Sequence, residues 1–166
     1  MRNSIRFAAM GAAAVAALSF GSAASAATTA TATATAEILS TLTVTNTAAL
    51  DFGQVAVNGA GTVRITGASS VTCSANLVCT GNRRPAAFAV TGTSGVAVSA
   101  AVTAASVSLS SGANTMTLNN FDLYFPDGNT LVAGATTFNV GGTLNVGAAQ
   151  AAGVYNGSFT VSVEYQ

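Results

Sequence analysis

The chain closes on Gly153-Val-Tyr-Asn-Gly-Ser-Phe-Thr-Val-Ser-Val-Glu-Tyr-Gln166. From residue 155 onward, the odd positions hold aromatic residues or valine, apart from one glycine, and the even positions hold polar residues. This period of two predicts a half-buried antiparallel strand with its large apolar side chains on one face. These side chains are Tyr155, Phe159, Val161, Val163 and Tyr165. Each would contribute about 1.5–3 kcal/mol if buried, so the face needs a cover.

Upstream of this strand, the chain repeats the alternation in short runs separated by turn residues. The runs predicted as strands are 54–57, 62–66, 86–91, 96–102, 107–109, 116–118, 121–125, 136–140 and 143–146, and residues 71–80 are interpreted as a loop that contains both cysteines. Asn58-Gly59-Ala60-Gly61 and Gly141-Gly142 each lie between two runs, and this placement predicts two hairpins. No segment shows a helical period. Many short strands at this spacing predict an all-β fold, an antiparallel β-sandwich.

The composition and the first residues indicate an exported protein. Only 6% of the 166 residues are charged, and a free cytosolic domain normally relies on charge for solubility. Two arginines, an Ala-rich apolar run (Phe7 to Phe20) and Ala24-Ser25-Ala26 follow one another at the start. This order predicts a secretory signal peptide over residues 1–26. The run is too short to span a bilayer and no later segment is long and apolar enough, so no membrane span is predicted.

A second alternating segment begins directly after the predicted cleavage site. Residues 27–36 alternate Thr and Ala, and the pattern continues through Ile38, Leu42 and Val44. Because this is longer than a usual strand, the segment either bends to serve two sheets or begins as an extension that precedes the domain. A disordered leader is the third alternative. The predicted organisation is a Thr/Ala-rich extension over 27–36, reaching residue 44 in the longer version, and one β-sandwich domain over 37–166.

The residue types needed for catalysis are scarce. The sequence has no His and no Lys, so no Ser or Cys nucleophile has an obvious base. Asp122 and Asp127 are interpreted as turn and surface residues. After the signal peptide, three arginines face five acidic residues, a net charge of −2 that argues against nucleic-acid binding. We expect a non-enzyme without catalytic residues, cofactor or metal.

Cys73 and Cys79 are the only cysteines of the chain. In an exported protein, an even pair close in sequence predicts a disulfide. A zinc site is a weaker alternative because it needs four ligands and no His is present, and free thiols are the other. The predicted disulfide would close a short loop and fix local geometry.

Two features at the ends resemble bacterial chaperone–usher pilins. Tyr165 is the penultimate residue and Gly153 is the fourteenth from the end, as in the terminal strand of those pilins. The alternating N-terminus occupies the place of their donor strand. The body resembles a family of small exported bacterial proteins of unassigned function. The segments that carry this second resemblance are Leu42 to Val44, Asp51 to Gly53, Phe138 to Gly147 and Gly153 to Gly157.

The pilin resemblance implies an immunoglobulin-like sandwich that lacks its final strand. A periplasmic chaperone lends a strand, and in the fibre the next subunit's N-terminal segment replaces it by β-strand addition, at the usher. The resemblance places the acceptor and chaperone-binding strand on Gly153, Tyr155, Phe159, Val161, Val163 and Tyr165. It places the donor within Thr29 to Val44, with Ala34, Ala36, Ile38, Leu42 and Val44 facing the groove.

Two functions follow as expectations. The first is a non-catalytic structural subunit of a surface fimbria, exported through the periplasm, that self-associates into a fibre by donor-strand exchange. The alternative is a monomeric secreted or cell-surface β-sandwich that acts as a binding or adhesion module.

Overall fold

The computed structural model describes residues 27–166, and the predicted signal peptide, residues 1–26, lies outside them. The chain divides into a unit that ends at Ala36 and a second unit, Glu37–Gln166. In the first unit, residues 27–36 form neither helix nor strand and every one of them is exposed. No stretch of the described residues forms a helix able to cross a membrane.

The second unit is built from eleven β-strands. They are β1 (Thr43–Ala48), β2 (Gln54–Val57), β3 (Gly61–Ile65), β4 (Val71–Cys73), β5 (Leu77–Thr80), β6 (Ala86–Thr91), β7 (Val98–Val102), β8 (Ser106–Ser111), β9 (Asn114–Tyr124), β10 (Ala135–Val146) and β11 (Val161–Tyr165). All their pairings are antiparallel. The predicted all-β fold with antiparallel sheets in a sandwich-like arrangement is therefore confirmed.

A seven-stranded sheet is organised around the long strand β10. Along one edge, β10 pairs first with β6 and then with β3, and along the other edge it pairs with β9. The sheet continues from β6 to β1, from β3 to β4 and from β9 to β8. The remaining strands form two separate small sheets, β7–β11 and β2–β5.

Each small sheet covers one half of the large sheet. The first hydrophobic cluster contains buried side chains of β3, β9 and β10, and the half-buried valines of β2 pack against it. The second contains buried side chains of β6 and β10, and the half-buried side chains of β7 and β11 pack against it. The fully buried Phe138 stacks on Phe88, with ring centroids 5.1 Å apart. The second layer is thus made of two pieces, one over each cluster.

Both predicted hairpins are wrong. β2 pairs with β5 and not with β3, because the chain passes through residues 58–60 from the small sheet into the large one. Residues 136–146 do not turn at Gly141-Gly142 but run through it as one strand, β10. Gly141 lies where β10 changes partner from β6 to β3, and the Ile65–Gly67 backbone leaves no space there for a Cβ atom. Glycine is needed here because two backbones approach closely. In the sequence alone, the Gly141-Gly142 pair has the same appearance as a turn.

The predicted runs 116–118 and 121–125 also belong to one strand, β9. Its register against β10 shifts by one residue between Gly141 and Thr143, so β9 carries a β-bulge at this point. Asn120 has φ +48° at the bulge, a left-handed conformation that Asn tolerates better than most residues. The bulge breaks the strict alternation and makes one strand resemble two.

The predicted Cys73–Cys79 disulfide is confirmed. Cys73 lies in β4 of the large sheet, and Cys79 lies in β5 of a small sheet. The bond therefore ties the two layers of the sandwich together at one end, in addition to closing a short loop.

Candidate functional site

The closing segment, residues 153–166, lies along β8 and then along β7. Asn156 exchanges backbone hydrogen bonds with Ser110, with N···O distances of 2.8 and 3.0 Å. Regular strand structure begins only at Val161, six residues later than the alternation indicates, where β11 pairs with β7. The predicted alternation nevertheless matches the burial: Phe159, Val161 and the other odd residues apart from Gly157 are half-buried, and the even residues are exposed.

One edge of β11 has no partner strand among the described residues. The N–H of Thr103 donates to the carbonyl of Thr160, and the N–H of Gln166 donates to that of Ala97, so the even residues of the segment bond to β7. In an antiparallel ladder, the groups of alternate residues point in opposite directions. The backbone groups of Val161, Val163 and Tyr165 therefore form the open edge of β11.

Two glycines allow the closing segment to lie against β8. A Cβ atom on Gly157 would come within 2.7 Å of the carbonyl oxygen of Ser108. One on Gly153 would come within 2.5 Å of the Oγ of Ser111. Because real Cβ atoms do not approach this closely, the predicted Gly153 and Gly157 are positions where the packing itself favours glycine.

Two clefts border residues 150–159, which lie directly before β11. The smaller, here called the β6 cleft, has a volume of about 310 Å³ and lies between Gly157–Phe159 and the segment that follows β1. The larger, here called the β2 cleft, has a volume of about 710 Å³ and lies between residues 150–156 and β2. Leu50, Phe52 and Leu109 line both clefts, so together they form one groove. The groove separates the two small sheets of the second layer.

The far end of the closing segment is tied to the start of the domain by Tyr165. The Tyr165 hydroxyl donates to the carbonyl of Ser40 at 2.8 Å and accepts from the N–H of Thr93 at 2.7 Å. The N–H of Ser40 donates to Oγ1 of Thr93 at 2.7 Å. Gly92 lies against the hydroxyl and has no side chain to displace it. These three bonds form a clasp between residues 125 positions apart in the chain.

Replacing Tyr165 with Phe is expected to lower the free energy of unfolding by about 1–2 kcal/mol, because the N–H of Thr93 and the carbonyl of Ser40 lose their partner. Amide hydrogen exchange should speed up in residues 37–42. Tyr155→Phe is the matched control, since the Tyr155 hydroxyl also makes two bonds, to Gln150 and Ala151. Equal exchange in residues 37–42 for wild type and Tyr165→Phe would contradict the clasp.

The structure brings most of the predicted acceptor residues together. Phe159, Val161, Val163 and Tyr165 pack against the second hydrophobic cluster, and Phe159 also contacts the first. Tyr155 lies near the start of the closing segment, where its hydroxyl accepts from the side-chain amide of Gln150 and donates to the carbonyl of Ala151.

The predicted donor residues are distributed differently. Ala34, Ala36 and Ile38 are exposed, Ile38 to 94%. Leu42 packs against the second cluster of its own domain. Val44 lies in β1, opposite Val90 of β6. Residues 27–39 are thus the part of the segment that belongs to no strand and to neither hydrophobic cluster of the domain.

The pairing of β2 and the clasp partners Ser40 and Thr93 are absent from the sequence-based prediction. Residues 54–57 are predicted as a strand, but the Asn58-Gly59 turn signal pairs this strand with β3, whereas β2 pairs with β5 and has no second partner among the described strands. Nothing in the local pattern indicates Ser40 or Thr93, because they lie 125 and 72 residues away from Tyr165 and residue spacing does not predict such distant contacts.

One pair of oppositely charged side chains forms a local contact. Arg64 and Asp122 form an ion pair with an N···O distance of 3.3 Å on the half-exposed outer side of the large sheet. Asp122 also accepts the N–H of Gly67 at 2.9 Å. Within residues 27–166, no three His, Cys, Asp or Glu side chains lie close enough together to hold a metal ion.

Comparison with known proteins gives a family match. The model of DUF4402, a domain of unknown function, matches residues 42–165. No curated protein matches the chain, and no solved structure does. The match begins just after Ser40 and ends on Tyr165, so it covers the sandwich without the exposed N-terminal segment.

Proposed function

The chain belongs to the family of the DUF4402 domain, and we propose that it is a non-catalytic structural subunit of a surface fimbria. In this proposal, the sandwich is of the immunoglobulin-like pilin type and lacks its final strand. Each domain accepts an extended segment from the next copy beside β11. A periplasmic chaperone covers the edge before assembly at an usher, and the product lies on the cell surface.

The open edge of β11 is the observation that carries this proposal. Within residues 27–166, the backbone N–H and C=O groups of this edge have no partner strand, although the side chains of β11 pack on the second cluster. Such an edge is a template for strand addition, in which main-chain bonds supply affinity and side-chain pockets supply specificity. The groove borders Gly157–Phe159, directly before β11, and its lining includes the apolar side chains of Phe88, Leu118 and Leu109.

The N-terminal segment is the proposed donor. Residues 27–41 are exposed, and the first ten carry no charge. Because Leu42 and Val44 serve their own domain, the donor is narrowed to the part of the segment before Ser40, with Ile38 as its largest apolar side chain.

The test is assembly with and without the open-edge amide of Val163. Wild type, co-expressed with a periplasmic chaperone and an usher from its own genome, should give a detergent-resistant, heat-labile ladder on gels. Val163→Pro removes an N–H that points away from β7, so the domain should stay folded and the ladder should disappear. Val163→Ala loses a similar amount of side chain but keeps the amide, and it should still assemble. Discrete monomer for wild type under all these conditions would refute the proposal.

The size of the β2 cleft favours a second candidate, a self-complete binding module. Ligand sites are typically 300–1,000 Å³, and this cleft of about 710 Å³ has polar groups such as Gln54 and Gln150 at its border. A binding module predicts that deletion of residues 27–36 leaves a folded monomer that still binds its ligand. The structural subunit predicts that the same deletion abolishes the ladder.

A further inference from the structure

The chain contains two Asn-Gly pairs, Asn58-Gly59 and Asn156-Gly157. We propose that Asn58 is a site of spontaneous covalent modification, at which the side-chain amide becomes a carboxyl group through a cyclic imide, and that the fold protects Asn156 from the same reaction. The co-reactant is water. This inference is independent of the proposed function, because it concerns a reaction of the chain with itself.

The reaction needs an asparagine whose following peptide group can rotate. The backbone nitrogen of the next residue attacks Cγ of the side chain and loses its proton, and ammonia leaves, which closes a succinimide ring. Water then adds to one of the two ring carbonyls and opens the ring. Opening at one carbonyl gives aspartate, and opening at the other gives isoaspartate, whose main chain runs through Cβ and Cγ. Glycine as the next residue favours the attack, since it has no Cβ atom to shield the nitrogen.

Asn58 meets this requirement. It lies directly after β2 in a bend, and its side chain is exposed. The N–H of Asn58 donates to the carbonyl of Asn76 at 3.0 Å, so the residue is held at its start. Within residues 27–166, neither the carbonyl of Asn58 nor the N–H of Gly59 has a backbone hydrogen-bond partner. The peptide group between the two residues can therefore turn its nitrogen toward Cγ.

Asn156 is exposed as well, but its backbone is held on both sides. Its N–H donates to the carbonyl of Ser110 at 3.0 Å, and its carbonyl accepts from the N–H of Ser110 at 2.8 Å. That carbonyl belongs to the same planar peptide group as the nitrogen of Gly157. Turning the nitrogen toward Cγ would therefore break the bond from Ser110. The same dipeptide can rotate at residue 58 and is fixed at residue 156.

The position of Asn58 makes its conversion important for the sandwich. Residues 58–60 carry the chain from β2 in a small sheet to β3 in the large sheet. Isoaspartate lengthens the main chain there by one carbon atom, next to the bond from Asn58 to Asn76 and the bond from Asn76 Nδ2 to the carbonyl of Ala60 at 3.3 Å. Either product also adds one negative charge to the net −2 of residues 27–166.

The test is incubation of the folded protein at mildly alkaline pH in water enriched in heavy oxygen. Proteolysis and mass spectrometry with electron-transfer fragmentation then distinguish asparagine, aspartate and isoaspartate at each site. We expect Asn58 to convert about tenfold faster than Asn156, the factor that one retained hydrogen bond of ordinary strength supplies. Both products should appear at residue 58, each with one oxygen atom from the solvent. The protein unfolded in urea is the control, in which the two sites should convert at similar rates.

Three results would overturn the proposal. Equal rates at the two sites of the folded protein would show that the bonds to Ser110 give no protection. An Asn58 that stays intact in the folded protein while it converts in urea would show that its peptide group is also fixed. Aspartate as the sole product at residue 58 would exclude the cyclic imide.

Ser110→Pro tests the protection of Asn156 directly, because it removes the N–H that this carbonyl accepts. Ser110→Ala keeps the N–H and is the matched control. We expect Ser110→Pro to raise the conversion rate of Asn156 about tenfold relative to Ser110→Ala and to leave that of Asn58 unchanged. An unchanged rate at Asn156 would overturn its protection by Ser110. The comparison of the two sites in the wild-type protein stands even if the proline variant does not fold.

Discussion

Gly141→Ala is expected to lower the free energy of unfolding by about 3 kcal/mol or more, a large share of the 5–15 kcal/mol typical of a domain. The added Cβ atom would lie 2.5 Å from the carbonyl carbon of Thr66 and 2.6 Å from the nitrogen of Gly67. Both atoms belong to backbone that follows β3, so no side-chain rotation relieves the contact. The chain must move β3 away from β10, which opens the centre of the large sheet.

Gly147→Ala is the control for this substitution. Gly147 directly follows β10, has ordinary φ, and a Cβ atom there would meet only Oε1 of Gln150 at 3.5 Å. Thermal and denaturant unfolding should show a change below about 1 kcal/mol for Gly147→Ala. Equal stability of the two variants would show that the distance between the Ile65–Gly67 backbone and β10 is large enough for a Cβ atom, which would contradict the close approach.

Phe138→Ala is expected to cost about 3–5 kcal/mol, the range for truncating a fully buried phenylalanine. The Phe138 ring is fully buried, stacks on Phe88 with a centroid distance of 5.1 Å, and contacts the tilted ring of Phe125 with a centroid distance of 5.3 Å. Its loss leaves a cavity under the sheet that contains β11. Because β7 is the only strand that pairs with β11 in the described part of the chain, we expect amide exchange to increase in β11 more than in β3.

Phe138→Leu separates the cavity from the loss of the aromatic stack. Leucine fills part of the space, so this variant should keep more than half of the stability that alanine loses. Denaturant unfolding measures both. Alanine and leucine variants with the same midpoint as wild type would mean that Phe138 is not a central part of the core.

The sequence pattern predicts the parts of the fold that depend on local alternation. The closing strand, the absence of helix and the Cys73–Cys79 bond all depend on residues close together in the chain. The two hairpin predictions fail for physical reasons: the chain passes through Gly59 from one sheet to the other, and Gly141 allows two backbones to approach closely. The bulge at Asn120 is not predicted because it interrupts the alternation of β9 and makes one strand resemble two.

The candidate site is predicted only in part. The terminal alternation identifies which side chains of the closing strand face the core, because burial and period are linked. It does not identify which strand edge stays open, since that depends on pairing between distant segments. Val55 and Val57 form part of the groove only because β5, more than 20 residues further along, takes the other edge of β2.

The way β1 is held determines how a fibre of such subunits would respond to mechanical load. β1 directly follows the N-terminal segment, and its antiparallel bonds to β6 lie across the direction of a pull along the strand. Tension would load these bonds together, in shear, instead of opening them one at a time. The bonds of Ser40 to Thr93 and Tyr165 lie ahead of β1 on the load path. They would break first and release a few residues of slack, so each subunit would lengthen slightly before its sandwich bears the full force.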